Sequence, residues 1–207
     1  MDLEPDDRQL LDGWRGGDAA AGNVLVRRHF DAVARFFERR VEARHLEELV
    51  QNTFVAAVES RDRFPDDVAF RAYLLGIARN KLLMHLRSRR TRGDATELSS
   101  DPVAGSTLHP SGFAAAREEQ VVLLRALRTL DLDLQIALEL FYWEDMGTAD
   151  IAIALDIPRG TVKTRLARAR ARLKEAIEAQ ASSLALATST VGDLDRWARS
   201  IRGKFDA

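Results

Sequence analysis

Helical periodicity runs through nearly the whole chain, and no stretch shows the apolar–polar alternation of a strand. Between Asp7 and Val41 the apolar positions recur mostly at three- and four-residue steps: Leu10, Leu11, Trp14, Val24, Leu25, Phe30, Val33, Phe36 and Phe37. The Gly16-Gly17-Asp18 triplet interrupts that run. Gly17 suits the end of one helix and Asp18 the cap of the next. A second helix pair is predicted from about Leu46 to Glu59 and from about Val68 to Arg89, with Phe64-Pro65 as the break, because the residue before a proline is pushed out of the helical region. Composition then shifts. Residues 91–117 are rich in Ser, Thr, Gly, Pro and Asp and read as a flexible linker. Helical patterning resumes near 118–130, 133–144, 148–156 and 160–180. The expected fold is all-α: two small helical domains, 1–90 and 118–180, on a tether. In a C-terminal extension, 181–207, Leu194, Trp197, Ile201 and Phe205 lie at helical spacing, as in a short amphipathic helix. That helix either packs against the chain's own domains or serves as a regulatory segment.

Composition narrows the classes of function. The chain has 207 residues, enough for one or two cores, with 46% hydrophobic and 30% charged residues, as in a soluble globular protein. There is no cysteine, so disulfides and thiolate metal sites are excluded. No apolar run approaches the ~18–20 residues of a membrane helix. The acidic N-terminus lacks the pattern of a secretion signal, so a reducing, cytoplasmic setting is expected and membrane insertion is not. His29, His45, His85 and His109 are scattered, without metal-ligand spacing. No nucleophile with a base, phosphate loop or paired carboxylates stands out. Neither a cofactor nor an enzymatic activity is expected.

Charge changes the picture most at residues 158–174, which hold Arg159, Lys163, Arg165, Arg168, Arg170, Arg172 and Lys174 and no acid. Solvated helices normally mix signs to gain i,i+4 pairs, and like charges at that spacing repel by a few tenths of a kcal/mol. The surrounding residues have helix-turn-helix proportions. Thr148 is a candidate cap, Ile151, Ala152 and Leu155 a buried face, and Asp156 falls where the turn needs a left-handed residue. Pro158 stops that helix, and Gly160 or Thr161 opens the next. In the second helix Val162, Leu166, Ala169, Leu173 and Ile177 step by 4, 3, 4 and 4 into one apolar stripe. Thr164 and Arg168 lie opposite it, with Thr161, Arg165 and Arg172 on one flank and Lys163 and Arg170 on the other. An arginine-rich helix with small residues and an apolar back fits a DNA major groove. Thr164, Arg165 and Arg168 are the candidate base readers; Lys163, Arg170 and Arg172 are the candidate phosphate contacts.

The stretch "LFYWEDMGTADIAIALDIPRGTVKTRLARARARL" resembles region 4 of bacterial sigma-70 factors of the extracytoplasmic-function (ECF) group. Asp150 stands where that group often has Glu, Asp156 where Gly is usual, and "TLDLD" where Leu-Pro often precedes the domain. The resemblance implies binding of the −35 promoter element through Arg159, Thr161, Lys163, Thr164, Arg165, Arg168 and Arg172. Residues 45–90 resemble sigma region 2. There, Glu47, Glu48, Gln51 and Phe54 form an acidic patch beside an apolar residue, which in the family docks on the polymerase beta-prime clamp. His45 and Asn52 replace common acids at this surface. Arg61 and Arg63 beside Phe64 make a basic loop suited to an unstacked base. Arg71, Tyr73, Arg79, Asn80, Lys81 and Arg87 match the −10 recognition helix, with Tyr73 where Trp is frequent and Met84 where Asp is common.

The resemblance therefore implies an alternative sigma factor that carries core RNA polymerase (beta-prime clamp and beta flap) to promoter DNA. An anti-sigma factor is a further candidate partner. The alternatives are a helix-turn-helix regulator that binds duplex DNA alone and a helical signalling adaptor.

Overall fold

The computed structural model describes residues 4–91, 123 and 125–180. Nearly all of the expected linker and the whole C-terminal extension lie outside the described residues. Every regular element among those residues is helical. They fall into two compact units, one built on 4–91 and the other on 125–152 and 157–180.

The first unit comprises α1 (Asp7–Arg15), α2 (Ala19–Glu38), α3 (Ala43–Ser60), a 3-10 turn (Arg61–Arg63) and α4 (Phe70–Thr91). A capping box starts α1: the Gln9 amide donates to Asp6 Oδ1 at 2.8 Å and the Asp6 amide to Gln9 Oε1 at 3.0 Å. It ends in a Schellman motif. The Asp18 amide reaches back to the Gly13 carbonyl at 2.9 Å and the Gly17 amide to Trp14 at 3.1 Å, with Gly17 at φ +95°. The Asp18 carboxylate then accepts from the amides of Ala20 and Ala21, so one three-residue turn closes one helix and opens the next.

Leu11, Leu25, Val33, Phe37, Leu74, Leu75, Ala78 and Leu82 are almost wholly buried and form the core of this unit. Gly22 is a steric requirement. A Cβ there would sit 2.5–2.8 Å from three atoms of the Trp14 ring. Asp7 ties α1 to α2, since its Oδ2 lies 2.7 Å from His29 Nε2 and its Oδ1 accepts from Arg28 at 2.8 Å. Helix α3 begins three residues before the expected Leu46. Helix α4 begins two after the expected Val68, because Ala69 supplies the first carbonyl of the ladder, to the amide of Tyr73.

In the second unit, helical residues 125–128 precede α5 (Leu132–Tyr142), α6 (Thr148–Leu155) and α7 (Arg159–Gln180). The apolar stripe of α7 is buried as expected: Val162, Leu166, Ala169, Leu173 and Ile177 are each at most 4% exposed. The left-handed residue also stands where the spacing put it. Asp156 has φ 52° and completes a second Schellman motif, Ile157 amide to Ala152 carbonyl at 3.0 Å and Asp156 amide to Ile153 at 3.1 Å. Two caps differ from expectation. Gly147 rather than Thr148 gives α6 its first carbonyl, to the Ile151 amide. Helix α7 opens a residue before Gly160, because the Pro158 carbonyl accepts from the amides of Thr161 and Val162.

Candidate nucleic-acid interface

On α7 the burial of one stripe fixes what the other side can offer. Thr161, Lys163, Thr164, Arg168 and Arg172 are exposed, with the small Ala167 and Ala171 between them. Arg172 pairs along its own helix with Glu175 at 3.2 Å, and Lys174 with Glu178 at 3.9 Å, so acids begin only where the cationic stretch ends. Arg159, also exposed, donates Nε to the Thr148 hydroxyl at 3.2 Å across the turn.

Two arginines sit elsewhere than expected. Arg165 is only 19% exposed and its guanidinium is 3.7 Å from Asp133 on α5, which draws it off the candidate reading face. Arg170 donates Nε to the Tyr142 hydroxyl at 2.8 Å and lies over the Phe141 and Tyr142 rings, 5.1 and 5.5 Å from their centroids. That geometry pins α7 to α5 and gives Arg170, expected as a phosphate contact, a structural role.

The second basic surface belongs to the first unit. Arg63 is exposed and Arg61 half-buried, its guanidinium 5.9 Å from the Trp14 ring. Phe64, expected to border an unstacked base, is 5% exposed and packs edge-on against Tyr73, with ring centroids 4.8 Å apart, and near Phe70 at 5.8 Å. It anchors the loop in the core. On α4, Asn80 and Arg87 are exposed, whereas Arg71, Tyr73, Arg79 and Lys81 are half-buried.

On α3, Glu47, Glu48 and Gln51 are exposed on adjoining turns, and Phe54 is half-buried. Phe54 stacks nearly parallel, at 7° and 6.0 Å, on Phe30 of α2, which is 47% exposed. Val55 and Val58 add exposed apolar area on the same helix. By sequence alone Phe30 is only part of a helical period. Its pairing with Phe54, twenty-four positions away, gives the acidic patch an apolar neighbour that one helix alone would not reveal.

Sequence reasoning missed one further cluster. Arg15 of α1 reaches the 61–66 loop with all three guanidinium nitrogens. Nε donates to the Arg61 carbonyl at 2.9 Å, NH1 to Asp66 Oδ1 at 3.0 Å, and NH2 makes a short bond to the Phe64 carbonyl. Arg8 adds NH1 to the Asp66 carbonyl at 2.9 Å and an ion pair to its carboxylate at 3.0 Å. The hydrogen bond from Arg15 and the charge of Arg8 hold the Asp66 carboxyl below its usual range. For Asp7, burial alone would raise the carboxyl, but bonds from His29 and Arg28 outweigh it and the net direction is down.

No group of three or more His, Cys, Asp or Glu among the described residues could hold a metal, and no helix among them is long and apolar enough to cross a membrane. Two family descriptions match: "Sigma-70 region 2" over residues 25–92 and "Sigma-70, region 4" over 120–173. The chain is 28% identical over 180 residues to the ECF RNA polymerase sigma-E factors of Escherichia coli K12 and Salmonella typhimurium LT2, spanning 83% of this chain and 94% of theirs. Among solved structures it is similar to CnrH bound to the cytosolic domain of CnrY, with TM-score 0.63, 27% identity, and coverage of 84% of this chain and 99% of that one. It is also similar to the sigma factor RpoE bound to the anti-sigma factor NepR from Bartonella quintana, with TM-score 0.57, 25% identity, and coverage of 74% and 94%.

Proposed function

Because the chain belongs to the ECF group of the sigma-70 family, we propose that it is an alternative sigma factor, binding core RNA polymerase and directing it to promoters through −10 and −35 elements. One observation carries this reading: a region 2 match and a region 4 match follow each other in one chain, each on its own helical unit. A helix-turn-helix regulator acting alone would need only the second, so that reading is not favoured. Sigma factors are initiation factors rather than catalysts, and the polymerase supplies the chemistry. A cytoplasmic location follows from that role. The complexes of the two structural relatives with CnrY and NepR support an anti-sigma protein as a further partner.

In this reading the outer face of α7 enters the major groove of the −35 element. Thr164 and Arg168 read base edges, Lys163 and Arg172 hold phosphates, and Arg159 and Thr161 approach from the helix start, where the backbone amides also favour an anion. Arg165, turned toward Asp133, contributes through its effect on that face rather than as a leading base contact. Arg63, Asn80 and Arg87, flanked by Arg61, Arg71, Tyr73, Arg79 and Lys81, take the unwound −10 strand, charge supplying most of the attraction. Glu47, Glu48, Gln51 and Phe54, extended by Phe30, meet the basic clamp of the polymerase. Two readers in one chain raise each other's effective concentration, so neither need bind tightly alone.

The deciding experiment is run-off transcription by core polymerase with and without the protein. Promoter-specific transcripts that appear only with it support the reading. Tight binding of duplex DNA by the free protein, with no association with core enzyme, would sink it.

A further inference from the structure

The contacts of Arg15 are unusual in their aim. A single guanidinium spans acceptors on three loop residues, Arg61, Phe64 and Asp66, and two of these are main-chain carbonyls. The side chain is only 20% exposed, so these bonds are partly shielded from water. The Arg61 carbonyl also receives the Phe64 amide of the 3-10 turn, at 3.4 Å. Arg15 thus completes acceptors that the turn alone leaves weakly bonded, while Arg63 between them remains exposed. From the same end of α1, Trp14 lies beneath the Arg61 guanidinium, 5.9 Å away, and Arg8, at the other end of the helix, also holds Asp66. Nothing in local sequence requires this arrangement, since the bonded residues lie 46–58 positions apart.

Building on the proposed role of this loop at the −10 element, we infer that Arg15 is a positioning residue for base selection. It fixes the backbone of residues 61–66 in the shape that meets the unwound strand, without itself touching DNA. A loop ordered before DNA arrives need not be ordered by it, and such pre-organisation favours the one base that fits over those that must reshape the site. Lysine cannot substitute, because a point charge on a flexible stem does not bridge three divergent acceptors as a planar fork does.

The test uses the full chain assembled with core polymerase and a single-stranded DNA pool randomised across the −10 window. The readout is the enrichment of the preferred base over the other three at each position. Arg15→Ala should reduce that ratio about tenfold at one position, since only part of the lost loop order bears on the choice of base. Affinity for core polymerase should stay within about twofold on the same scale. Arg15→Lys should fail to restore the ratio, and Asp66→Ala, at an exposed site, should give a smaller loss. Amide exchange should quicken at 61–68 alone. Arg63→Ala serves as the control on the loop reading. If it lowers the ratio while Arg15→Ala leaves it unchanged, the positioning role is overturned and the loop reading stands. If neither variant moves it, the loop's part in −10 selection falls and this inference falls with it. A loss in Arg15→Ala matched by an equal loss of core binding would mark general destabilisation and also overturn the role.

Discussion

Helices α4 and α7 are the same length, 22 residues, and both are rich in arginine, yet they use their cations differently. In α7 a fully buried stripe backs an outer face on which Lys163, Thr164, Arg168 and Arg172 are exposed. In α4 four of the six basic residues, Arg71, Arg79, Lys81 and Arg89, are half-buried, and only Asn80 and Arg87 of the candidate set stand clear. Helix α7 can be inserted into a groove as a rigid rod. Helix α4 is better built as one wall of a platform, completed by the loop before it and by α1 behind that loop. The difference suits a duplex element read from one side and a strand that must be unwound and held.

The harshest way to break the contrast is to remove the backing of α7. Leu166→Ala should destabilise the second unit by about 2–5 kcal/mol, measured by urea unfolding, and −35 binding should fail along with it. A gentler change sharpens it. Arg168→Ala should weaken binding of a −35 duplex by about 1–3 kcal/mol with the melting temperature unchanged, whereas Arg170→Ala should lower the melting temperature and barely affect binding. Arg79→Ala on α4 should both lower the melting temperature and weaken binding of single-stranded −10 DNA, because its side chain is half-buried as well as charged. If Lys174→Ala, near the end of the cationic stretch, weakens −35 binding as much as Arg168→Ala, general phosphate attraction accounts for α7 better than base reading does.

Lys163→Ala should cost less and act evenly across sequences, reducing the slope of log affinity against log salt by about one. The smallest effect expected is acidic. The lowered Asp7 carboxyl contributes stability that is fully present above its unfolded value, about 3.9, and is lost as pH falls through its lower folded value. Acid titration of stability below about pH 5 should therefore be steeper in the wild type than in Asp7→Asn. Parallel curves would show that the bonds to His29 and Arg28 contribute nothing net.

What could be read from sequence was whatever depends on spacing along one helix. The stripe from Val162 to Ile177 and the left-handed turn at Asp156 follow from local steric rules, and both stand in the structure. What escaped depends on where long side chains end. A helical wheel gives the angle of a Cα, but Arg165 and Arg170 each swing far enough to find Asp133 and Tyr142 on another helix. Phe64 reads equally well as a stacking platform or a core anchor until Phe70 and Tyr73 are seen around it. Arg15 gave no signal, since its partners are loop carbonyls, which any residue type carries.

Gly22 carries a consequence for relatives of this chain. The Trp14 ring occupies the space where any side chain at 22 would begin, so the two positions cannot vary independently. Among homologues that keep an aromatic at the first, the second should be glycine; where the second bears a side chain, the first should have shrunk. Paired substitution, tryptophan lost as alanine is gained, should therefore be tolerated in a way that alanine at 22 alone is not.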